Sequence, residues 1–476
     1  MPTPADIDQS VATVPPEPIW LRVLAPALRS QARRVWFWLA VGLAIRVALL
    51  PLFASVDLLS NAFVTTVLVN QHQLIVTNDP PPIFYIEGAL DWLFRPFISS
   101  QIGTYFSLGP SFTPSSAPES LAAQTPGINL FVSILKLPFL AADVVIAFVL
   151  PRFFGNPRTA YIALLLWWFN PISIYVSYMV GQFDVVATAF LVLAFYYLRS
   201  NRDLWCLAAF GLAMFFELYA VVLIPFLLIY WLRTTPFSRK TLQRWGGTFL
   251  TTGLAALGLL LILHFQALAY TPANLALSSV GVNGNFGSIV YSRGLTSQPF
   301  LAIAFTFLGY SAQLPIDTGL SDVILIVVVA YGVLLILFSR TPGVTWNDMA
   351  GVTLASFLVF YALSGFLVQW VLWSMPFLVL LLAKNLRALM LPYVILIIGY
   401  FMYAWYFRTV LFGALLQVSY PGASGADPIA LMDSAGLPGL MVVNAGRSLF
   451  SAACLWFAYL AVRDSIGKVH RAASSA

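Results

Sequence analysis

The sequence predicts an all-α polytopic membrane protein with about 12 transmembrane helices (roughly 11 to 13), and three observations support this fold class. Hydrophobic residues make up 60% of the chain and charged residues only 9%, whereas a soluble domain carries about 25% charged residues. Apolar runs of about 17 to 25 residues recur along the chain, and each can cross ~30 Å of hydrocarbon. Trp and Tyr recur near the ends of these runs, where their rings suit the headgroup level.

The apolar runs define the predicted spans. They begin near Val35, Ile128, Thr159, Phe183, Leu204, Ala220, Gly246, Asp322, Met349, Val368, Leu389 and Gly439. A shorter apolar stretch, 300–314, is predicted to lie outside the membrane or to be re-entrant, because counting it as a span would invert every later loop. No small-residue cleavage site follows the first run, which predicts a retained helix and not a signal peptide.

Lys and Arg are distributed unequally between the two sets of loops. One set holds Arg22, Arg29, Arg33, Arg34, Arg152, Arg158, Arg199, Arg202, Arg233, Arg239, Lys240, Arg244, Arg340, Lys384, Arg387, Arg463, Lys468 and Arg471. The opposite loops hold only Arg95 and Arg293. The positive-inside rule therefore predicts a plasma-membrane protein with both termini in the cytoplasm. The net charge of +6 follows from this topology, and no nucleic-acid partner is expected.

The predicted topology divides the chain into four parts. A cytoplasmic N-terminal tail covers 1–34, and an N-terminal helical module covers 35–233 and includes a large extracytoplasmic loop, 54–127. A C-terminal variable helical module covers 234–463, and a cytoplasmic tail covers 464–476. The loops 271–321 and 414–438 are also predicted to face outward.

The first outer loop contains a predicted amphipathic helix. It starts after Asp79, whose carboxylate can cap the helix while Pro80 occupies the first turn. The apolar stripe consists of Ile83, Ile86, Leu90, Phe94 and Phe97, and the other side of Glu87, Asp91 and Arg95. This pattern is typical of a helix that lies in the membrane interface.

Charged side chains near the outer face are the candidates for chemistry, because charge at or inside a bilayer costs several kcal/mol unless paired or hydrated. The carboxylates predicted to cluster there are Asp57, Asp79, Asp184 and Glu217, and the cations at similar depth are Arg46, Lys136, Arg408 and Arg447. The structural interpretation is that pairs such as Lys136 and Asp143, seven positions apart on one helix face, neutralise one another within the bundle.

The same residues suit a sugar donor that is linked to a lipid phosphate. Phosphate leaves without protonation, so one carboxylate is enough as the base for an incoming hydroxyl, whereas glycoside hydrolysis needs a second carboxyl as acid. Arg suits the phosphate because its fork pairs bidentately with oxyanions. Arg408 is the first candidate, with Arg293 and Arg447 as alternates, and an aromatic-packed or snorkelling Arg is the structural alternative.

Metal-ligand patterns are absent from the sequence. The three histidines, His72, His264 and His470, are scattered, and Cys206 and Cys454 have no partner at metal-ligand spacing. No cofactor or obligatory metal is expected, although a divalent cation stays open.

The order of motifs resembles the GT-C superfamily of integral-membrane glycosyltransferases over most of the chain, in particular the transferases that use dolichyl- or polyprenyl-phosphate mannose or glucose. The motifs are Val56-Asp57-Leu58, Asn78-Asp79-Pro80-Pro81-Pro82-Ile83-Phe84-Tyr85, Lys136-Leu137-Pro138-Phe139 with Asp143, Asn170-Pro171-Ile172, Gly181-Gln182-Phe183-Asp184, Glu217-Leu218-Tyr219, and Gln369-Trp370-Val371-Leu372-Trp373-Ser374-Met375-Pro376. Two positions depart from the family pattern, because relatives commonly carry Lys at Glu217 and His at Leu367.

The resemblance implies a role for each matched residue. It implies Asp57 as the general base, and it implies a substrate pocket shaped by Asp79, Tyr85, Gln182, Asp184, Glu217, Gln369 and Trp370. The structural alternatives are a helix-exit carboxylate facing water for Asp57 and a simple N-cap for Asp79.

The sequence thus predicts an enzyme that transfers a hexose, by default mannose or glucose, from a polyprenyl-phosphate-linked donor to a lipid- or protein-linked acceptor on the extracytoplasmic side. Glu217 and Leu367 keep open a catalytically inactive membrane subunit or lipid-binding protein. The spans and intramembrane charges also permit a lipid or solute transporter, although the sequence has no convincing internal repeat.

Overall fold

A computed structural model describes most of the chain. The described residues are 24–71, 81–98, 102, 126–235, 238–239, 241–243, 245–250, 253–254, 322–364, 366–420, 422 and 425–474. These residues form helices and turns, and no strand occurs among them. Asp79, Arg293 and the stretch 300–314 lie outside the described residues, so their predicted roles stay predictions.

The α-helices follow one another in chain order. They are α1 (Ala32–Leu49), α2 (Val56–Gln71), α3 (Pro81–Phe94), α4 (Ile128–Leu135), α5 (Leu137–Val149), α6 (Pro157–Trp168), α7 (Pro171–Ile174), α8 (Asp184–Arg199), α9 (Asp203–Phe216), α10 (Ile224–Thr234), α11 (Asp322–Arg340), α12 (Trp346–Leu363), α13 (Met375–Lys384), α14 (Leu386–Ala404), α15 (Pro428–Ser434) and α16 (Gly439–Ser474). Short 3-10 turns and one π-helical turn, Tyr175–Val180, connect several of them. Each predicted span start other than Gly246 lies within three residues of the start of an α-helix or, for Ala220 and Val368, of a 3-10 turn.

Several helical stretches are long and apolar enough to cross a bilayer. They are Ile128–Phe153, Pro157–Val180, Trp346–Leu363, Leu386–Leu411 and Gly439–Ala472. Shorter apolar helices, among them Asp203–Phe216 and Met375–Lys384, accompany them. The chain is therefore an integral membrane protein with an all-helical fold, and the number of about 12 spans stays a prediction.

Asn-Pro pairs start two consecutive helices. The side chain of Asn156 accepts hydrogen bonds from the backbone N–H groups of Arg158 and Thr159, at 2.9 and 3.3 Å, and Pro157 opens α6. Asn170 caps α7 in the same way, before Pro171. Each cap satisfies backbone donors that a helix N-terminus leaves free, while Pro removes one such donor.

Glycines allow α14 and α16 to cross closely. A Cβ on Gly399 would lie 2.6 Å from the backbone nitrogen of Phe450, and one on Gly446 would lie 2.2 Å from Cβ of Met402. Small residues at a crossing let helix backbones approach within membranes, where dispersion contacts hold helices together.

The start of α12 is joined to the end of α16. Thr345 and Asp348 form a capping box, and Asp348 also accepts hydrogen bonds from Ser465 (2.8 Å) and Lys468 (2.7 Å). The segment 464–476, predicted as a tail, begins as a continuation of α16, which extends to Ser474.

Cations from separate helices meet at Trp346. The guanidinium carbon of Arg199 lies 4.8 Å from the Trp346 ring centre, and Nζ of Lys384 lies 5.7 Å from it. Lys384 also donates to the side chain of Asn347 at 3.0 Å. We refer to Arg199, Trp346 and Lys384 as the basic end of the bundle, and both cations belong to the set predicted to be cytoplasmic.

Arg46 and Asp143 form a fully buried ion pair with a 2.6 Å Nε to Oδ2 distance. Trp167 and Tyr178 also donate to the Asp143 carboxylate, at 2.7 and 2.8 Å. The predicted pairing of Asp143 with Lys136 is therefore wrong. The Lys136 ammonium group instead donates to the backbone carbonyls of Leu50 and Tyr178.

The loop helix α3 has the opposite orientation to an amphipathic helix in water. Glu87 and Asp91 are 0% and 4% exposed, whereas Trp92, Leu93 and Phe97 are 69%, 58% and 72% exposed. Burial raises the pKa of Asp91, and the charge and hydrogen bond of Arg95 partly lower it. The acidic side therefore packs against the protein and apolar side chains face outward, while the predicted position in the membrane interface stays a prediction.

Candidate active site

The Asp57 carboxylate is held by Gln182, from a distant part of the chain. Nε2 of Gln182 donates to Oδ2 of Asp57 at 2.6 Å. Asp57 lies in the first turn of α2, whose start is fixed by Ser55: its hydroxyl accepts from the N–H of Leu58 at 3.1 Å. The structure thus brings together two of the residues that the sequence predicted for one pocket.

Gln182 is placed by a tight turn after the π-helical segment. Gly181 has a φ of +79°, in the left-handed region that favours glycine. The N–H groups of Gly181 and Gln182 both donate to the carbonyl of Val176, at 2.9 and 3.1 Å. A Cβ on Gly181 would lie 2.7 Å from Cδ2 of Leu58, so glycine lets this turn pack against α2.

Asp57 is accessible to solvent, yet protein surrounds its carboxyl group. Burial raises the pKa of Asp57 above its usual range, and the hydrogen bond from Gln182 partly lowers it. The residue is therefore open to solvent while protein lies around its carboxyl group. This combination suits a general base, whose pKa should approach the working pH.

Asp184 is close to Asp57 in the fold, since it follows Gln182 by two residues and starts α8. It is only 2% exposed. Nε1 of Trp373 donates to its Oδ1 at 2.8 Å, and the Trp373 ring stacks on Tyr219 with 3.7 Å between ring centres. Asp184 therefore supports the pocket from inside, and the accessible carboxylate is Asp57.

The other predicted pocket residues lie on separate elements. Trp370 stacks on Trp373 at 5.6 Å, and Gln369 lies in the same 3-10 turn, half-buried. Glu217 follows α9 in an extended conformation, two residues before Tyr219. Tyr85, on α3, is half-buried against the hydrophobic core. No sequence pattern predicts the hydrogen bond between Trp373 and Asp184, although each residue belongs to one of the quoted motifs.

The segment 405–419 packs directly against the chain that leads to Asp57. The carbonyl of Leu415 accepts from the N–H of Ala54 at 3.1 Å, and Oγ of Ser419 donates to the carbonyl of Leu52 at 2.8 Å. Tyr175 anchors the same segment by donating to the carbonyl of Leu411 at 3.1 Å. Arg408 belongs to this segment.

Arg408 was predicted to be buried near the outer leaflet with few anions available. The structure corrects this: its side chain is 56% exposed and forms an ion pair with Asp427 at 3.2 Å. Asp427 simultaneously caps α15 by accepting from the N–H of Ile429 at 2.8 Å. The Asp-Pro pair at 427–428 is a pattern typical of a helix N-terminus, and it could have predicted this cap.

Arg447 lies within the bundle, 4% exposed. It donates to the carbonyl of Ser364 and lies 4.8 and 5.1 Å from the ring centres of Phe366 and Tyr403. Arg447 therefore packs against aromatic rings, as in the structural alternative to phosphate binding. Among the described residues, no group of three or more His, Cys, Asp or Glu lies close enough to hold a metal ion.

Part of the chain is similar to a known protein family, and most of it is similar to solved structures. The family described as GPI transamidase subunit PIG-U matches residues 122–291, a part that includes Lys136, Gln182, Asp184 and Glu217. A structure of ArnT from Cupriavidus metallidurans bound to undecaprenyl phosphate is similar at 14% identity, with a TM-score of 0.46, over 90% of this chain and 77% of that chain.

The apo structure of the same ArnT gives a TM-score of 0.47 at 14% identity, over 91% of this chain and 78% of that chain. No curated protein sequence matches.

Proposed function

We propose that this protein is a membrane glycosyltransferase that transfers a hexose from a polyprenyl-phosphate-linked donor to a lipid- or protein-linked acceptor. The observation that carries the proposal is the hydrogen bond from Gln182 to the carboxylate of Asp57, a residue that is open to solvent. The motif resemblance supports the same assignment, and mannose or glucose is the default hexose.

In the proposed reaction, Asp57 takes the proton of the acceptor hydroxyl. The acceptor oxygen then bonds to the anomeric carbon of the hexose while the bond from that carbon to the phosphate oxygen breaks. The polyprenyl phosphate leaves with the bonding electron pair and needs no proton, so a single ionised carboxylate is sufficient. Burial raises the pKa of Asp57, and the hydrogen bond from Gln182 partly offsets this by favouring the ionised carboxylate.

Arg408 is the proposed ligand of the departing phosphate. Its ion pair with Asp427 is partly exposed to solvent, and such pairs contribute only about 0 to 1 kcal/mol. A phosphate with two negative charges can therefore displace Asp427 and bind the guanidinium fork bidentately. Arg408 belongs to segment 405–419, which packs on Leu52 and Ala54, a few residues before Asp57 in the chain.

The two ends of α8 support an extracytoplasmic site. Asp184 starts this helix and Arg199 ends it, which separates the candidate site from the basic end by about 23 Å at 1.5 Å per residue. If the basic end is cytoplasmic, as the positive-inside rule predicts, Asp57 and Gln182 lie at the outer face.

Reconstitution with radiolabelled polyprenyl-phosphate hexoses tests the proposal. Wild-type protein in proteoliposomes should transfer label to a lipid acceptor, and Asp57→Asn should reduce the rate at least about 100-fold, since general bases contribute about 10² to 10⁴. Asp464→Asn is the matched control, because that carboxylate is 86% exposed at the far end of α16. Equal transfer by Asp57→Asn and wild type would remove Asp57 from the role of base.

A second candidate function is a catalytically inactive subunit of a membrane complex. The match to a family described as a transamidase subunit favours it, as does Glu217, where GT-C relatives commonly carry Lys. Under this proposal the purified chain binds lipid but transfers no sugar, and transfer by the purified chain alone would contradict it.

A further inference from the structure

Lys136 is fully buried, and its ammonium group is bound by backbone carbonyls. Nζ donates to the carbonyls of Leu50 (3.1 Å), Tyr178 (2.8 Å) and Phe53. An ammonium has three N–H donors, so these three acceptors satisfy it completely. The neighbouring carboxylate, Asp143, is occupied by Arg46.

The three carbonyls belong to the two chain segments that lead to the candidate site. Leu50 and Phe53 follow the end of α1 and precede Asp57 by seven and four residues, and Tyr178 precedes Gln182 by four residues. Lys136 therefore joins the segment that carries the carboxylate to the segment that carries its hydrogen-bond donor.

Two further contacts join the same segments. The N–H of Ser55 donates to the carbonyl of Val180 at 3.2 Å. A Cβ on Gly181 would lie 3.2 Å from Cε of Lys136 and 2.7 Å from Leu58. The lysine stem thus passes directly beneath the Gly181 turn, and a change in its length or position must be transmitted to Gln182.

A buried cation is not required for stability alone. Replacement of buried charges by apolar residues of similar volume is often neutral or stabilising, because desolvation offsets the attraction. Side chains can instead be retained because they fix one arrangement of the backbone, and a donor that collects three carbonyls from two segments does this directly.

We propose that Lys136 is a positioning residue that holds the Asp57 and Gln182 segments in register, so that the Gln182 amide meets the Asp57 carboxylate. Its significance for sugar transfer rests on the proposed function, whereas the structural linkage does not. Lys136 itself touches no reacting atom.

Infrared titration of the purified protein tests the structural linkage and does not require an assay of sugar transfer. The carboxyl band of Asp57 is identified as the one that Asp57→Asn removes. Lys136→Met should raise the midpoint of that band by about one pH unit, because the carboxylate loses a hydrogen bond to its charged form. Gln182→Met should shift it in the same direction. An unchanged midpoint in folded Lys136→Met would overturn the proposal.

Lys384→Met is the matched control, since it removes a lysine at the basic end of the bundle and should leave the midpoint unchanged. If Lys136→Met does not fold, as judged by gel filtration and thermal unfolding, Lys136→Gln replaces it. That variant keeps an amide donor and should give a smaller shift in the same direction. A folded Lys136→Gln with the wild-type midpoint would equally overturn the proposal.

A double-mutant cycle then tests whether Lys136 and Gln182 affect sugar transfer through the same contact. Lys136→Met and Gln182→Met should each lower kcat/KM at least tenfold, and the double variant should lose little more than either single one, because both act on the same contact. Additive losses would contradict a shared pathway. If wild-type protein transfers no sugar, the proposed function fails, while the titration still decides the role of Lys136.

Discussion

The indole nitrogen of Trp373 donates a hydrogen bond of 2.8 Å to the Asp184 carboxylate, 189 positions earlier in the chain. The same indole stacks on Tyr219 at 3.7 Å with an interplanar angle of 11°. Three separate segments of the chain therefore meet at one ring, directly behind the Gln182 turn. The contact fixes the start of α8 and hence the position from which Gln182 reaches Asp57.

Trp373→Phe should destabilise the fold measurably. The substitution keeps a ring against Tyr219 but removes the donor to buried Asp184, which costs about 1 to 3 kcal/mol. Denaturant unfolding in detergent measures the free energy of unfolding. Trp456→Phe is the control, because Trp456 is 50% exposed, and a loss of the same size there would show that the Asp184 contact contributes nothing specific.

Gln182→Met should move the pH dependence of sugar transfer. Burial raises the pKa of Asp57 and Gln182 lowers it, so removal of the amide raises this pKa further. A general base works only when ionised, and the acidic limb of the pH–rate profile should therefore shift to higher pH. The profile of kcat/KM measures the shift, and an acidic limb that stays in place would separate Gln182 from the ionisation of Asp57.

Arg408 and Asp427 allow a pair of substitutions with opposite effects. Asp427→Asn keeps a good N-cap for α15 but removes the charge that competes for Arg408, so polyprenyl phosphate should bind up to about fivefold more tightly. Arg408→Gln should weaken binding at least about tenfold. Titration with the lipid, followed by native mass spectrometry, measures both. Equal affinities in the two variants would exclude Arg408 as the phosphate ligand.

Gly446→Ala and Gly467→Ala should change stability in opposite directions, although both lie in α16. A methyl on Gly446 would meet Met402 at 2.2 Å, which predicts a loss of about 1 to 3 kcal/mol from overpacking. Nothing lies within 4 Å of a methyl on Gly467, so the higher helix propensity of Ala should add about 0.5 to 1 kcal/mol. Thermal unfolding in detergent compares them, and the same sign for both would contradict this view of the crossing.

The helices could be predicted because they depend on signals within short segments. The placement of Asp57 near Gln182 could be predicted from the motif resemblance alone. Composition and apolar run length indicate membrane helices, and the motif resemblance placed Asp57 and Gln182 in one pocket. The hydrogen bond between them agrees with that prediction. The chemical roles of Asp57, Gln182 and Asp184 stay predictions.

The partners of Lys136 and Arg408 could not be predicted, for two different physical reasons. Lys136 binds backbone carbonyls, which every residue possesses and no sequence pattern marks. Arg408 pairs with Asp427, whose Asp-Pro context signals a helix cap and not an ion pair. The predicted pairing of Lys136 with Asp143 is wrong because Arg46, 97 positions earlier in the chain, occupies the carboxylate.

The orientation of α3 could not be predicted either, because an amphipathic pattern distinguishes two faces but does not say which face meets the protein. Thr65 donates to buried Glu87 at 3.1 Å, so α2 supplies polar partners for the acidic side. The orientation of α3 therefore depends on contacts with the rest of the fold, such as this one with α2.

The outward Trp92, Leu93 and Phe97 side chains of α3 have a practical consequence for handling the first outer loop. A fragment cut out for expression in water would present three large apolar side chains to solvent, which favours aggregation. Antigens, crystallisation chaperones and binding assays aimed at this loop should therefore use the whole chain in a lipid or detergent environment.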